Sequence, residues 1–110
     1  MAGQNGIHSP EADALFDAIL TLRSREDCYK FFADLCTIKE LTDMAQRLQA
    51  AKMLLDGCTY EQIAHSADIS TATISRINRC IQYGEGGYRE TIARLTPAPA
   101  PKAAPAKKRG

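Results

Sequence analysis

The sequence predicts an all-α fold of six helices, and three observations point there. Apolar residues recur at three- and four-residue spacing, and no stretch shows strand-like alternation. Hydroxyl side chains stand ahead of the periodic stretches, at Ser9, Ser24, Thr37, Thr59 and Ser70, where each can cap a helix. The stretch Thr59–Arg79 carries two short helical patterns separated only by a tight turn, the pattern of a helix-turn-helix.

Taken in order, residues 1–8 read as a disordered N-terminus. Ser9, Pro10 and Glu11 open the first helix, with Asp13 near its positive end. Leu15, Ile19 and Leu22, with Ala12 and Ala18, make one stripe reaching about Thr21–Arg23. Ser24 caps a second helix that carries Glu26 and Asp27 in its first turn. Its apolar face is Cys28, Phe31, Phe32, Leu35 and Cys36, and two adjacent phenylalanines on a short helix suit a core shared between chains. Thr37 and Glu40 form a capping box at the start of the longest helix, which Gly57 closes. Leu41, Met44, Ala45, Leu48, Ala51, Met53, Leu54 and Leu55 are its apolar positions, with Arg47 a lone cation among them. Taken alone, Arg47 is equally well a snorkelling surface arginine.

Thr59 and Gln62 predict a second capping box, and Ile63, Ala64 and Ala67 an inward face. Asp68 stands at the bend, where a left-handed backbone is tolerated by Asp. Ser70 and Thr71 offer caps for the next helix, which buries Ile74, Ile77 and Ile81 and ends near Tyr83, since Gly84-Glu-Gly-Gly87 cannot sustain it. A last helix runs from Tyr88 to Leu95, with Ile92 and Leu95 inward. Domain organisation follows: one domain over residues 9–96, its motif at 59–82, and a disordered Pro/Ala/Lys-rich tail at 97–110.

The chain of 110 residues has a net charge of +1 that hides an asymmetry. Residues 1–69 carry six basic and eleven acidic side chains; residues 70–96 carry four and two; the tail adds Lys102, Lys107, Lys108 and Arg109 with no acid. Positive charge thus accumulates from the second motif helix onward, the sign of a face that meets phosphate. That helix exposes Thr71, Ala72, Thr73, Ser75, Arg76, Asn78 and Arg79 opposite its isoleucines, without an acid among them. Nearly all of these side chains can hydrogen-bond a base edge or a phosphate, and Thr59 and Gln62 at the preceding helix start suit backbone phosphate. Double-stranded DNA is the expected partner.

Other classes fare worse. The histidines and the four cysteines (Cys28, Cys36, Cys58, Cys80) lack metal-ligand spacing, so no metal is expected, and the thiols read as reduced and inert in a cytoplasmic protein. No carboxylate cluster, nucleophile–base pair or phosphate-cradling glycine loop supports an enzyme. No apolar run is long enough for a membrane. The surviving rival is a module that uses the same helices to dock another regulator or a polymerase subunit. Retention on duplex DNA with a salt-dependent slope separates the two.

The segments Leu41–Gly57, Thr59–Ala64 and Ser70–Arg76, with the Tyr83–Tyr88 stretch after them, resemble the Trp repressor family and in particular its YerC/YecD branch. The resemblance covers roughly residues 11–92. It implies an intertwined all-helical homodimer whose two helix-turn-helix units read a palindromic operator. It also implies a corepressor site: two arginines, one on the long helix and one on the reading helix, with a threonine nearby, match Arg47, Arg76 and Thr37. Two guanidinium planes can sandwich an aromatic ring, and one can hold a carboxylate. Departures from the family pattern speak against tryptophan as effector. Ile77 stands where the Trp repressor has a glycine beside the pocket, Cys80 replaces a serine, and the turn is one residue shorter. A different aromatic or anionic effector, or none, is expected.

Overall fold

The computed structural model describes residues 6–95, and within them every regular element is a helix: α1 Pro10–Ile19, α2 Arg25–Leu35, α3 Ile38–Leu55, α4 Tyr60–Ala67, α5 Thr71–Tyr83 and α6 Gly87–Leu95. The expected disorder of the first five residues and of the tail from Pro97 lies outside the described residues. The chain divides into two compact units at Leu41/Thr42, within α3.

In the first unit the helix starts follow the local chemistry. The Ser9 Oγ accepts from the Ala12 amide at 3.0 Å, and the Ser24 Oγ accepts from the Asp27 amide at 3.0 Å. Thr37 and Glu40 exchange both bonds of a capping box: the Glu40 amide donates to Thr37 Oγ1 at 3.0 Å and the Thr37 amide to Glu40 Oε1 at 2.9 Å. α1 stops at Ile19, shorter than its apolar stripe, and the chain tightens through turns from Thr21 to Ala18 and from Leu22 to Ile19. No residue of α1 or α2 is buried. Phe31 and Phe32 are half-buried with their rings edge to face, 5.5 Å between centroids. Leu20 and Ile38 are 81% and 87% exposed.

The second unit holds the core. Ala50 and Ala51 of α3, Ile63 and Ala67 of α4, Ile74, Ile77 and Ile81 of α5, and Ile92 of α6 are buried together. Two adjacent alanines let α3 approach closely, and the β-branched isoleucines fill the space between helices with few rotamers to freeze. Two expectations on these helices are corrected. Leu95, expected inward, is exposed, because α6 ends there and only Ile92 reaches the core. Met44 and Ala45 of the α3 stripe are exposed, whereas Ala50, outside the expected stripe, is fully buried. In the first unit, Cys28, expected on the apolar face of α2, is exposed as well, and so is Cys80 of α5.

α3 ends in a Schellman motif. The Cys58 amide donates to the Met53 carbonyl and the Gly57 amide to that of Leu54, each at 3.0 Å, with Gly57 at φ 90°. The chain leaves it aimed into α4.

Candidate DNA-reading face

The geometry of the motif is set by three local devices. Thr59 and Gln62 form the expected capping box, with the Gln62 amide donating to Thr59 Oγ1 at 3.1 Å and the Thr59 amide donating to Gln62 Oε1 at 2.8 Å. Asp68 closes α4 in the left-handed conformation, φ 59° and ψ 48°, and is the one described non-glycine residue with positive φ. Ser70 then caps α5: its Oγ accepts from the Thr73 amide at 3.1 Å and lies 3.0 Å from Thr73 Oγ1. α5 packs against both α4 and α6.

Burial sorts the reading residues. With Ile74, Ile77 and Ile81 facing the core, the helical repeat sends Ala72, Ser75, Arg76 and Arg79 most directly outward, and all four are exposed. Thr71 is exposed at the flank, while Thr73 and Asn78 are half-buried along the edges of the isoleucine stripe. The first turn of α5 holds no acid, so its positive end and the first-turn amides of Thr71 and Ala72 face outward uncompensated. Thr59 and Gln62 are exposed, but their box commits the Thr59 hydroxyl and the Gln62 carbonyl oxygen as acceptors. The Thr59 hydroxyl hydrogen and the Gln62 amide nitrogen are the groups left to donate outward.

The residues matched to an effector site divide between the units. Arg47 and Arg76 are exposed side chains of the second unit. Thr37 belongs to the first, where its hydroxyl already accepts from Glu40. Ile77 is 4% exposed and part of the core. Tyr88, half-buried at the start of α6, packs against the core cluster. Burial pushes its phenol above the usual range, the neighbouring Cys80 thiol adds to the rise, and the Arg47 guanidinium opposes it.

Tyr88 escapes a reading of periodicity because its place depends on the turn before it. A Cβ at Gly84 would run into the Cys80 carbonyl oxygen, and Gly86 takes φ 89°. Arg89 escapes it too. Its Nε donates to the Ile81 carbonyl oxygen near the end of α5, at 3.2 Å.

An all-α chain with a capped, acid-free second motif helix is built as a helix-turn-helix protein of the DNA-binding type. The particular family follows from likeness to known proteins. The family model described as Trp repressor protein matches residues 10–96. The uncharacterised protein YerC of Bacillus subtilis (strain 168) is 47% identical over 89 residues, spanning 81% of this chain and 86% of that one. Two crystal structures share the fold. A candidate Trp repressor from Staphylococcus aureus is 48% identical with a TM-score of 0.78, covering 82% of this chain and 90% of its own. A TrpR-like protein from Eubacterium eligens ATCC 27750 is 43% identical with a TM-score of 0.80, covering 84% and 95%. The chain belongs to the Trp repressor family. Membership implies DNA-binding transcription regulation by a helix-turn-helix protein.

Proposed function

We propose that the protein is a sequence-specific transcriptional repressor that reads a palindromic operator in double-stranded DNA as a homodimer in the cytoplasm. The observation that carries this reading is the outward face of α5: Ala72, Ser75, Arg76 and Arg79 exposed over a buried isoleucine stripe, with no acid on the helix. Thr71, Ala72 and Thr73 at its N-terminal end would meet base edges, directly or through water. Ser75, Arg76, Asn78 and Arg79 would hold phosphates or bases, and Thr59 and Gln62 would dock on the backbone. Support for the dimer comes from the first unit, whose large apolar side chains, Phe16, Leu20, Leu35 and Ile38 among them, are exposed. A second copy would cover them and space the two α5 helices by about one DNA turn, ~34 Å.

Effector binding belongs to the same reading. Arg47 and Arg76 are its candidate side chains in the second unit. An aromatic or anionic molecule other than tryptophan, held between the two arginines, would fix the tilt of α5 and so the fit to the groove.

The test is selection of bound fragments from random duplex DNA by the full chain, followed by affinity measurements on Arg76→Ala and Arg79→Ala. Enrichment of a palindrome, with a salt-dependent slope reduced by about 1 for each phosphate contact removed, is the expected result. Indifference to DNA and to salt would favour a protein-docking module instead.

A further inference from the structure

We propose that Tyr83, the last residue of α5, belongs to the DNA interface: its phenol hydroxyl donates to a backbone phosphate at the rim of the major groove that α5 enters. The inference rests on the reading of α5 as the DNA-reading helix, and it adds a neutral contact to the charged ones already placed there.

Three observations carry the assignment, and helix phase is the first. Ala72, Arg76, Arg79 and Tyr83 follow one another at four-, three- and four-residue spacing. At about 100° per residue they share an arc of about 60°. That arc lies opposite Ile74, Ile77 and Ile81, so Tyr83 continues the line of the two exposed arginines. Exposure is the second. The isoleucines of α5 are all buried, yet Tyr83 is 86% exposed, the one large apolar side chain of this helix left uncovered. Charge is the third. α5 carries no acid, and the first one after it, Glu85, stands beyond the Gly84 cap. Tyr83 is therefore the last donor on a line of side chains that suits anions.

Distance selects phosphate as its partner. At about 1.5 Å per residue, Tyr83 stands ~16 Å along the helix axis from Ala72. The major groove is about 12 Å wide and about 8.5 Å deep. With Thr71, Ala72 and Thr73 at base edges, the far end of α5 lies out of reach of the groove floor and level with the sugar–phosphate rim. A phenol suits that place. Its hydroxyl donates, its ring can cover a sugar, and only two side-chain torsions are frozen on binding. Being neutral, it holds a phosphate without displacing a counterion, unlike an arginine.

The test compares the full-length protein with Tyr83→Phe, which deletes a single exposed hydroxyl. Affinities are measured across a salt series on two duplexes: the one most enriched by the parent from random DNA, and an unrelated sequence of equal length. Tyr83→Phe is expected to bind both about fivefold more weakly, because a phosphate contact carries no sequence information. Its salt slope is expected to equal the parent's. A parent that binds neither duplex ends the DNA reading and this inference with it. A parent that binds while Tyr83→Phe matches it on both duplexes overturns this inference alone. Loss confined to the selected duplex makes Tyr83 a base reader and overturns the phosphate assignment. So does a changed slope, which would mean disturbed arginines. Sedimentation of the two proteins without DNA completes the test, with equal oligomeric state expected. Weaker self-association of Tyr83→Phe would put the ring against a second copy and overturn the proposal.

Discussion

Arg89 reaches back across the glycine turn so that its Nε donates to the carbonyl oxygen of Ile81, eight residues earlier, at 3.2 Å. Ile81 lies in the last turn of α5, where carbonyls have no intrahelical partner, so a cation there both fills a hydrogen bond and meets the negative end of the helix. The bond joins the reading helix to α6 by something other than isoleucine packing.

Replacing Arg89 with alanine removes that bond and leaves the carbonyl partly buried. The expected cost is about 1 kcal/mol, since the carbonyl can recover water on its open side. Urea denaturation of Arg89→Ala against the parent measures it. An unchanged midpoint would mean that the contact contributes nothing to stability.

The turn inside the motif gives a sharper substitution series. Asp68 holds φ 59° and ψ 48°, a conformation that costs a side chain about 1–2 kcal/mol unless it is Gly, Asn or Asp. Asp68→Val should therefore destabilise the fold by about 1–2 kcal/mol. Asp68→Gly adopts the same conformation freely and loses only through the larger entropy of the unfolded chain, so it should stay within about 1 kcal/mol of the parent. Thermal unfolding of the pair reads both. Equal losses in the two variants would show that the Asp68 side chain, and not its backbone, holds the turn.

These positions also show how much of the fold is legible in the sequence. Ser9, Ser24, Thr37, Thr59 and Ser70 all cap helices as their sequence positions predict, because capping is settled within four residues. Gly57 and Asp68 were legible for the same reason: one residue type suits one backbone conformation. The outward face of α5 was legible because its isoleucines fix the phase of the helix. Tyr88 and Arg89 were not, since each acts across a turn whose path depends on Gly84 and Gly86. The inward place given to Leu95 failed for a related reason, as one buried Ile92 satisfies so short a helix. On α1 and α2 the apolar stripes were legible but their covering surface was not, because periodicity says which side is apolar and not what lies against it.

That last point carries its own experiment. Ile38 is the first residue of α3 and 87% exposed, and Leu20 is 81% exposed at the end of α1. Glutamate at a first helical position is favourable to the helix dipole, so Ile38→Glu should not harm α3 itself. If these side chains are covered by a second copy, Leu20→Glu and Ile38→Glu place charge in a desolvated interface and should shift the protein to monomer. Sedimentation equilibrium with circular dichroism checks this, with loss of dimer and retained helicity expected. A parent protein that sediments as a monomer would end the homodimer reading, and with it the palindrome.

Tyr88 supplies the pH prediction. Burial and the Cys80 thiol favour its neutral phenol in the folded state, more strongly than Arg47 favours the phenolate, so its folded-state pKa lies above the unfolded one. In the unfolded chain the phenol ionises near pH ~10. Below that pH both states hold the proton and the stabilisation is fully present. As pH rises past it the unfolded state loses its proton first, so stability falls until the folded phenol also ionises. Urea midpoints measured from about pH 8 to 11 should therefore decline toward the alkaline end, and Tyr88→Phe, which cannot ionise, should decline less. Parallel profiles for the two proteins would place the Tyr88 hydroxyl in water in the folded state.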